Sequence, residues 1–127
     1  MDINAVTERI IGAAIEVHRE LGPGLLESAY EECLARELAL RSIPFERQKP
    51  VPLIYKGSPV ATGFRLDFIV QGLVAVELKA VEEILPIHEA QVLTYLKLTG
   101  LPLALLLNFN VRILPKGIRR LVLNLEE

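Results

Sequence analysis

Several residue types are scarce in this chain of 127 residues, and each scarcity excludes a class of protein. Cys33 is the only cysteine, so no disulfide can form within the chain. Neither sign of charge dominates, because 14 Lys and Arg residues stand against 16 Asp and Glu residues, for a net charge of -2. This balance excludes a strongly basic module that binds nucleic acid mainly by neutralising phosphates. It does not exclude an enzyme that contacts nucleic acid through a metal ion.

Long apolar runs are also missing. The longest, residues 101–107, contains Pro102 and is too short to span a bilayer. The first residues lack a basic segment followed by an apolar one, so no signal peptide is visible. We therefore expect a soluble cytoplasmic protein with no membrane association, in which Cys33 is a buried structural thiol.

The residues that are present suit a packed fold. Hydrophobic residues make up 51% of the chain and charged residues 24%, which predicts a single domain over residues 1–127. The charge is uneven: residues 1–42 hold eight acids and four bases, whereas residues 43–127 hold eight acids and ten bases. The densest basic cluster is Lys116, Arg119 and Arg120. It favours either contact with an anionic partner or a solvated strand edge, and both alternatives stay open.

Apolar spacing and chain-breaking residues predict three helices. Apolar residues recur every three or four positions until Gly22-Pro23-Gly24, which ends the first helix. The second helix is expected over residues 26–41 and the third over residues 87–99, before Gly100.

Strands are predicted between and after these helices. Alternation begins at residue 45 and reaches a turn at residues 56–59, and Pro50 and Pro52 place this first strand at an edge or interrupt it. Further strands are expected over residues 62–70, 73–80, 103–109 and 118–125. The order α-α-β-β-β-α-β-β predicts an α/β or α+β fold with helices packed on a mixed sheet.

The register of one hairpin follows from its apolar faces. We expect Leu66, Phe68 and Val70 to share one face and to pair with Leu78, Val76 and Val74, across a three-residue loop at residues 71–73. Asp67 then lies opposite Glu77, and Arg65 lies opposite Lys79.

Two facing carboxylates destabilise a sheet unless positive charge lies between them. Lys79 shares the face of Glu77 and supplies one such charge. A hard divalent cation such as Mg²⁺, which takes carboxylate oxygens, supplies another. The alternative is a solvated cross-strand charge network of Arg65, Asp67, Glu77 and Lys79 without any ligand.

Two sets of motifs resemble a known group of proteins. Asp67, Glu77-Leu78-Lys79 and Gln91 resemble the core of the PD-(D/E)XK nuclease superfamily. Gly24-Leu-Leu-Glu27-Ser-Ala-Tyr30 is similar to the signature of its small GxxExxY protein family, and the combined pattern spans residues 5–125. The resemblance implies a restriction-endonuclease-like core, in which a mixed sheet of about four strands is flanked by helices in αβββαβ order. Two departures lie outside the implied ligands: Leu66 replaces the usual Pro, and Asn110 stands where Gly is expected.

The resemblance also implies a role for each motif residue. Asp67 and Glu77 would hold Mg²⁺ or Mn²⁺, together with the backbone carbonyl of Leu78 and the carboxylate of Glu27. Lys79 would orient the attacking water and stabilise charge on phosphate, and Gln91 would position water or the lysine. The implied activity is metal-assisted hydrolysis of phosphodiester bonds in DNA or RNA.

Other readings of the same residues stay open. Glu27 is equally explained as an acid in the first turn of its helix, where the helix dipole favours negative charge. Tyr30 is expected in the core or at its rim, His88 as a helix cap or surface residue, and His18 at the surface. The alternative function is a non-catalytic binding or assembly module that keeps the nuclease fold and acts as a homodimer or with a protein partner.

Overall fold

The computed structural model describes residues 2–61 and 64–123. Within these residues there are three α-helices: α1 (Ile3–Leu21), α2 (Glu27–Leu40) and α3 (Pro86–Thr99). The strands, in chain order, are β1 (Phe45–Pro50), β2 (Leu53–Tyr55), β3 (Ser58–Val60), β4 (Arg65–Val70), β5 (Val74–Lys79), β6 (Leu103–Asn108) and β7 (Ile118–Val122). A short 3-10 helix, Leu114–Gly117, precedes β7.

The strands form a five-stranded sheet in the order β1-β4-β5-β6-β7, and β2 and β3 form a separate hairpin. All neighbours in the large sheet are antiparallel except β5 and β6, which are parallel and are connected through α3. The predicted mixed sheet flanked by helices is therefore confirmed, with five strands instead of about four. The first predicted strand is interrupted at Val51 and Pro52, which separate β1 from β2. β1 lies at the edge of the sheet, as the prolines predict.

Apolar side chains pack on both faces of the large sheet. One cluster joins α1 and α2 to the sheet, and it includes the β5 residues Val74, Val76 and Leu78. The other cluster joins α3 to the opposite face through residues such as Ala75 and Leu96. The carboxyl end of β5 therefore lies between α2 on one side and α3 on the other.

The helix predictions are accurate to a residue or two. The first helix ends at Leu21 and is capped by Gly22. The third ends at Thr99 and is capped by Gly100, whose φ of 76° is left-handed and suits glycine. Cys33 is only partly buried, so the prediction of a buried thiol is wrong. No helix in the described part of the chain is long and apolar enough to cross a membrane.

The prediction that His18 lies at the surface is wrong. The ring is buried, and its Nε2 lies 2.8 Å from the carbonyl oxygen of Val111. A helical stripe does not reveal this contact, because Val111 is 93 residues away in the chain. His18 thus connects α1 to the segment between β6 and β7.

The hairpin prediction is correct near the turn and wrong beyond it. Val70 pairs with Val74 and Phe68 with Val76, across the expected loop at residues 71–73. The paired ladder stops there, so the predicted pairing of Leu66 with Leu78 is not formed. Leu66 pairs with Lys49 of β1 and packs in the α3 cluster, away from the face that Phe68 shares with Val70. The predicted start of this strand, residues 62 and 63, and the last predicted residues of β7, 124 and 125, lie outside the described residues.

Candidate functional site

The regular sheet is interrupted around Asp67. On the β5 side, pairing stops at Phe68 and Val76. On the β1 side, pairing passes from Arg47–Phe68 to Lys49–Leu66, so that the position of Gln48 and Asp67 is left out of the ladder. Backbone N–H groups that a regular ladder would pair, those of Asp67 and Leu78, therefore donate to side chains at this position.

Asp67 and Glu77 take the place of the missing ladder bonds. The backbone N–H of Asp67 donates to Glu77 Oε1 at 2.8 Å, and the N–H of Leu78 donates to Asp67 Oδ2 at 2.8 Å. Both side chains are buried, with exposed fractions of 9% and 7%. Each carboxylate is thus held by the backbone of the opposite strand, and the predicted proximity of the two acids is observed.

Burial disfavours the charged form of both acids. It is the largest cause that raises the pKa of Glu77 to about 8, and the charge of Asp67 raises it further. Burial also raises the pKa of Asp67 to about 6, with contributions from the charges of Glu31 and Glu27 and an opposing effect of the Leu78 N–H. Without a bound cation, the pair therefore favours a protonated Glu77 at neutral pH.

Lys79 and Glu27 border this pair. The charge of Lys79, at the end of β5, lowers the pKa of both Glu77 and Glu27. Glu27 is the first residue of α2, and its pKa is nevertheless raised, chiefly because the carboxyl is partly shielded from water. The structure thus brings the charges of Glu27, Asp67, Glu77 and Lys79 within range of one another.

Tyr30 holds the loop that precedes α2. Its hydroxyl donates to the Gly22 carbonyl at 2.6 Å and accepts from the Leu25 N–H at 3.1 Å. Its ring is fully buried and stacks on Phe109, with centroids 4.7 Å apart. Tyr30 is therefore a core aromatic, as predicted, and it holds the loop that leads into Glu27.

Helix α3 borders the site from the other side. Gln91 is exposed, and among the described residues it makes no hydrogen bond to the acidic pair. One turn later, Tyr95 is close enough for the charges of Glu77 and Asp67 to add to the effect of burial and raise its pKa. His88 caps the start of α3, because its Nδ1 accepts the Leu85 N–H at 3.0 Å, which confirms the predicted capping role.

Sequence reasoning missed two residues beside Asp67. Glu31 lies one turn after Glu27 on α2, and that spacing was the available signal. Gln48 of β1 donates from its amide to Glu31 Oε1 and, at 3.3 Å, to Asp67 Oδ1. No local pattern singles out Gln48.

The donor set suits a hard cation. Asp67 and Glu77 offer carboxylate oxygens, and the backbone of Leu78 lies directly against Asp67. Oxygen donors of this kind favour Mg²⁺ or Mn²⁺ over zinc. Within residues 2–61 and 64–123, however, no three His, Cys, Asp or Glu side chains are grouped closely enough to hold a metal ion.

The predicted basic cluster lies on the other side of β6 from β5. Lys116, Arg119 and Arg120 are exposed at the end of the 3-10 helix and on the edge strand β7. Arg120 donates to the Asn4 side chain at 2.9 Å, and Arg119 donates to backbone carbonyls. The cluster thus lies exposed at a strand edge, and its contact with an anionic partner stays a prediction.

Comparison with known proteins bears on this geometry. A sequence model described as the PD-(D/E)XK nuclease superfamily matches residues 4–121. Comparison with curated proteins and with solved structures yields no match.

Proposed function

Because the chain belongs to the PD-(D/E)XK nuclease superfamily, we propose that it is a nuclease of the GxxExxY type that requires Mg²⁺ or Mn²⁺. Its substrate is DNA or RNA, and the reaction is hydrolysis of a phosphodiester bond. The observation that carries the proposal is the buried pair Asp67 and Glu77, whose ionised forms are disfavoured by burial in the metal-free chain. A divalent cation between such groups removes their repulsion.

Each site residue has a role in this proposal. Asp67, Glu77 and the Leu78 carbonyl would hold the cation, and Glu27 of α2 would add a further carboxylate. The bound metal would supply Lewis acidity and a water molecule of lowered pKa. Lys79 stabilises negative charge on the phosphate and orients water, because it lies at the strand end beside Glu77. Gln91, exposed on α3, positions water or Lys79 in this proposal.

Metal binding and cleavage are measured on the same preparations to test this function. Wild-type protein is titrated with Mn²⁺ by calorimetry and incubated with DNA and RNA oligonucleotides. We expect Glu77→Gln to weaken Mn²⁺ binding, and Lys79→Ala to reduce cleavage by about 100-fold or more while retaining metal. Lys97→Ala, an exposed lysine on α3, is the matched control. Equal cleavage by wild type and both site variants, or no Mn²⁺ binding at millimolar metal, contradicts the proposal.

A binding module is the second candidate. It is favoured by the lack, within the described residues, of three metal-ligating side chains already grouped together. Such a module acts as a homodimer or with a protein partner. Oligonucleotide binding by the wild type without any metal-dependent cleavage favours this candidate.

A further inference from the structure

Gln48 has an unusual backbone for its place in the fold. Its φ of 52° lies in the left-handed region, although it is neither glycine nor part of a turn but sits within β1. It occupies the position that is missing from the β1–β4 ladder, directly across from Asp67. Residues other than glycine rarely adopt this backbone conformation, and those that do so cluster at functional sites.

The strained backbone aims the Gln48 amide between two carboxylates. The amide nitrogen donates to Glu31 Oε1 and, at 3.3 Å, to Asp67 Oδ1. Carboxylate oxygens only accept hydrogen bonds, so the NH₂ group, with its two donors, is the end of the amide that must face them. One side chain of β1 thereby joins α2 to β4.

Glu31 is itself held in place. The guanidinium of Arg47, the residue before Gln48, contacts Glu31 Oε2 at 2.9 Å and Glu32 Oε2 at 2.9 Å. Asp67 accepts a hydrogen bond at each carboxylate oxygen, from the Gln48 amide at Oδ1 and from the Leu78 N–H at Oδ2. Donors on both neighbouring strands thus set the orientation of its carboxylate plane.

Resting on the proposed metal-dependent function, we propose that Gln48 is a positioning residue. It orients Asp67 toward the divalent cation, and Glu31 holds the Gln48 amide in position by accepting its hydrogen bond. Partners of this kind, which touch a ligand but not the metal, contribute strongly to metal affinity because they fix the ligand before the ion arrives.

Glycine at position 48 separates positioning from folding. Gln48→Gly deletes the amide and also relieves the left-handed backbone, so it preserves or raises the melting temperature. We expect the same variant to lose Mn²⁺ affinity by about 10- to 100-fold in calorimetry. The chain offers a matched control in Gln71, another glutamine with positive φ (57°), located in the β4–β5 turn. Gln71→Gly should leave Mn²⁺ affinity unchanged.

The role of Glu31 is tested by a double variant. Glu31→Gln should weaken Mn²⁺ binding, and it should weaken binding less in the Gln48→Gly background than in the wild type, because that background has already lost the link through the amide. Full Mn²⁺ affinity in Gln48→Gly, beside a wild type that binds, overturns this inference and leaves the proposed function standing. Independent, multiplicative losses in the double variant overturn the role of Glu31. A wild type that binds no Mn²⁺ overturns the proposed function and this inference together.

Discussion

Asp67 and Glu77 are acids at positions where the fold favours protonation. In the absence of metal, burial and the charge of Asp67 raise the pKa of Glu77 from its ordinary 4.5 to about 8. Burial and the charges of Glu31 and Glu27 raise the pKa of Asp67 from 3.8 to about 6. At pH values between the ordinary and the raised pKa of each acid, the folded protein binds more protons than the unfolded chain does. The free energy of unfolding therefore falls as pH rises through this range.

This linkage predicts how the pH dependence of stability changes in Glu77→Gln. We expect metal-free wild type to lose on the order of 3–4 kcal/mol of unfolding free energy between pH 5.5 and 8.5, since one pKa unit corresponds to about 1.4 kcal/mol. Glutamine keeps an oxygen for the Asp67 N–H but does not titrate, so the variant should show a much flatter profile. The measurement is urea unfolding in EDTA, with Glu82→Gln, an exposed acid, as the control. Parallel profiles for wild type and Glu77→Gln would contradict it.

At the scale of secondary-structure elements, the last residue of β6 fixes the backbone that follows β5. Asn108, the last residue of β6, pairs with Lys79 and is 2% exposed. Its amide accepts from the Val81 N–H at 3.1 Å and donates to the Val81 carbonyl at 2.9 Å. The side chain thus continues the parallel pairing past the point where β5 ends, and it fixes the backbone that follows Lys79.

Removing this amide should loosen the segment after β5. Asn108→Ala leaves both backbone groups of Val81 without their buried partner, which we expect to cost about 2–3 kcal/mol of unfolding free energy. Asn110→Ala is the matched control, because that side chain makes only a 3.4 Å bond to the same carbonyl. Urea unfolding of both variants tests the difference, and equal losses would show that Asn108 is not the specific link.

At the scale of the whole molecule, the 3-10 helix closes tightly against β6. Gly117 is buried, and a Cβ atom there would overlap the Asn108 carbonyl oxygen and crowd Val111. Its φ is not positive, so this glycine is required by close approach of two backbone segments and not by turn conformation. The contact brings the start of β7 against the strand end that lies beside Lys79.

Gly117→Ala should therefore be strongly destabilising, by about 2 kcal/mol or more, because backbone cannot move away as a flexible side chain can. Gly12→Ala is the contrasting variant: its Cβ meets only the end of the Arg41 side chain. In the middle of α1, alanine should stabilise by about 0.5–1 kcal/mol. Thermal and urea unfolding measure both, and a neutral Gly117→Ala would refute the close approach.

The sequence by itself determined the features that depend on neighbouring residues. Helix ends follow from Gly22 and Gly100, and the hairpin register follows from apolar alternation around a short loop, so both are encoded within a few positions. The proximity of Asp67 to Glu77 is a consequence of that local register.

Only the tertiary structure decided how the sheet opens at Asp67 and which groups surround it. Gln48 meets Asp67 across 19 residues of chain and Glu31 across 17, while His18 meets Val111 across 93. Alternation predicts that Leu66 continues the face of Phe68, but pairing with β1 and packing under α3 turn it to the other side. Burial and pKa depend on every element packed around a group, and a periodic pattern along one strand carries no information about those elements.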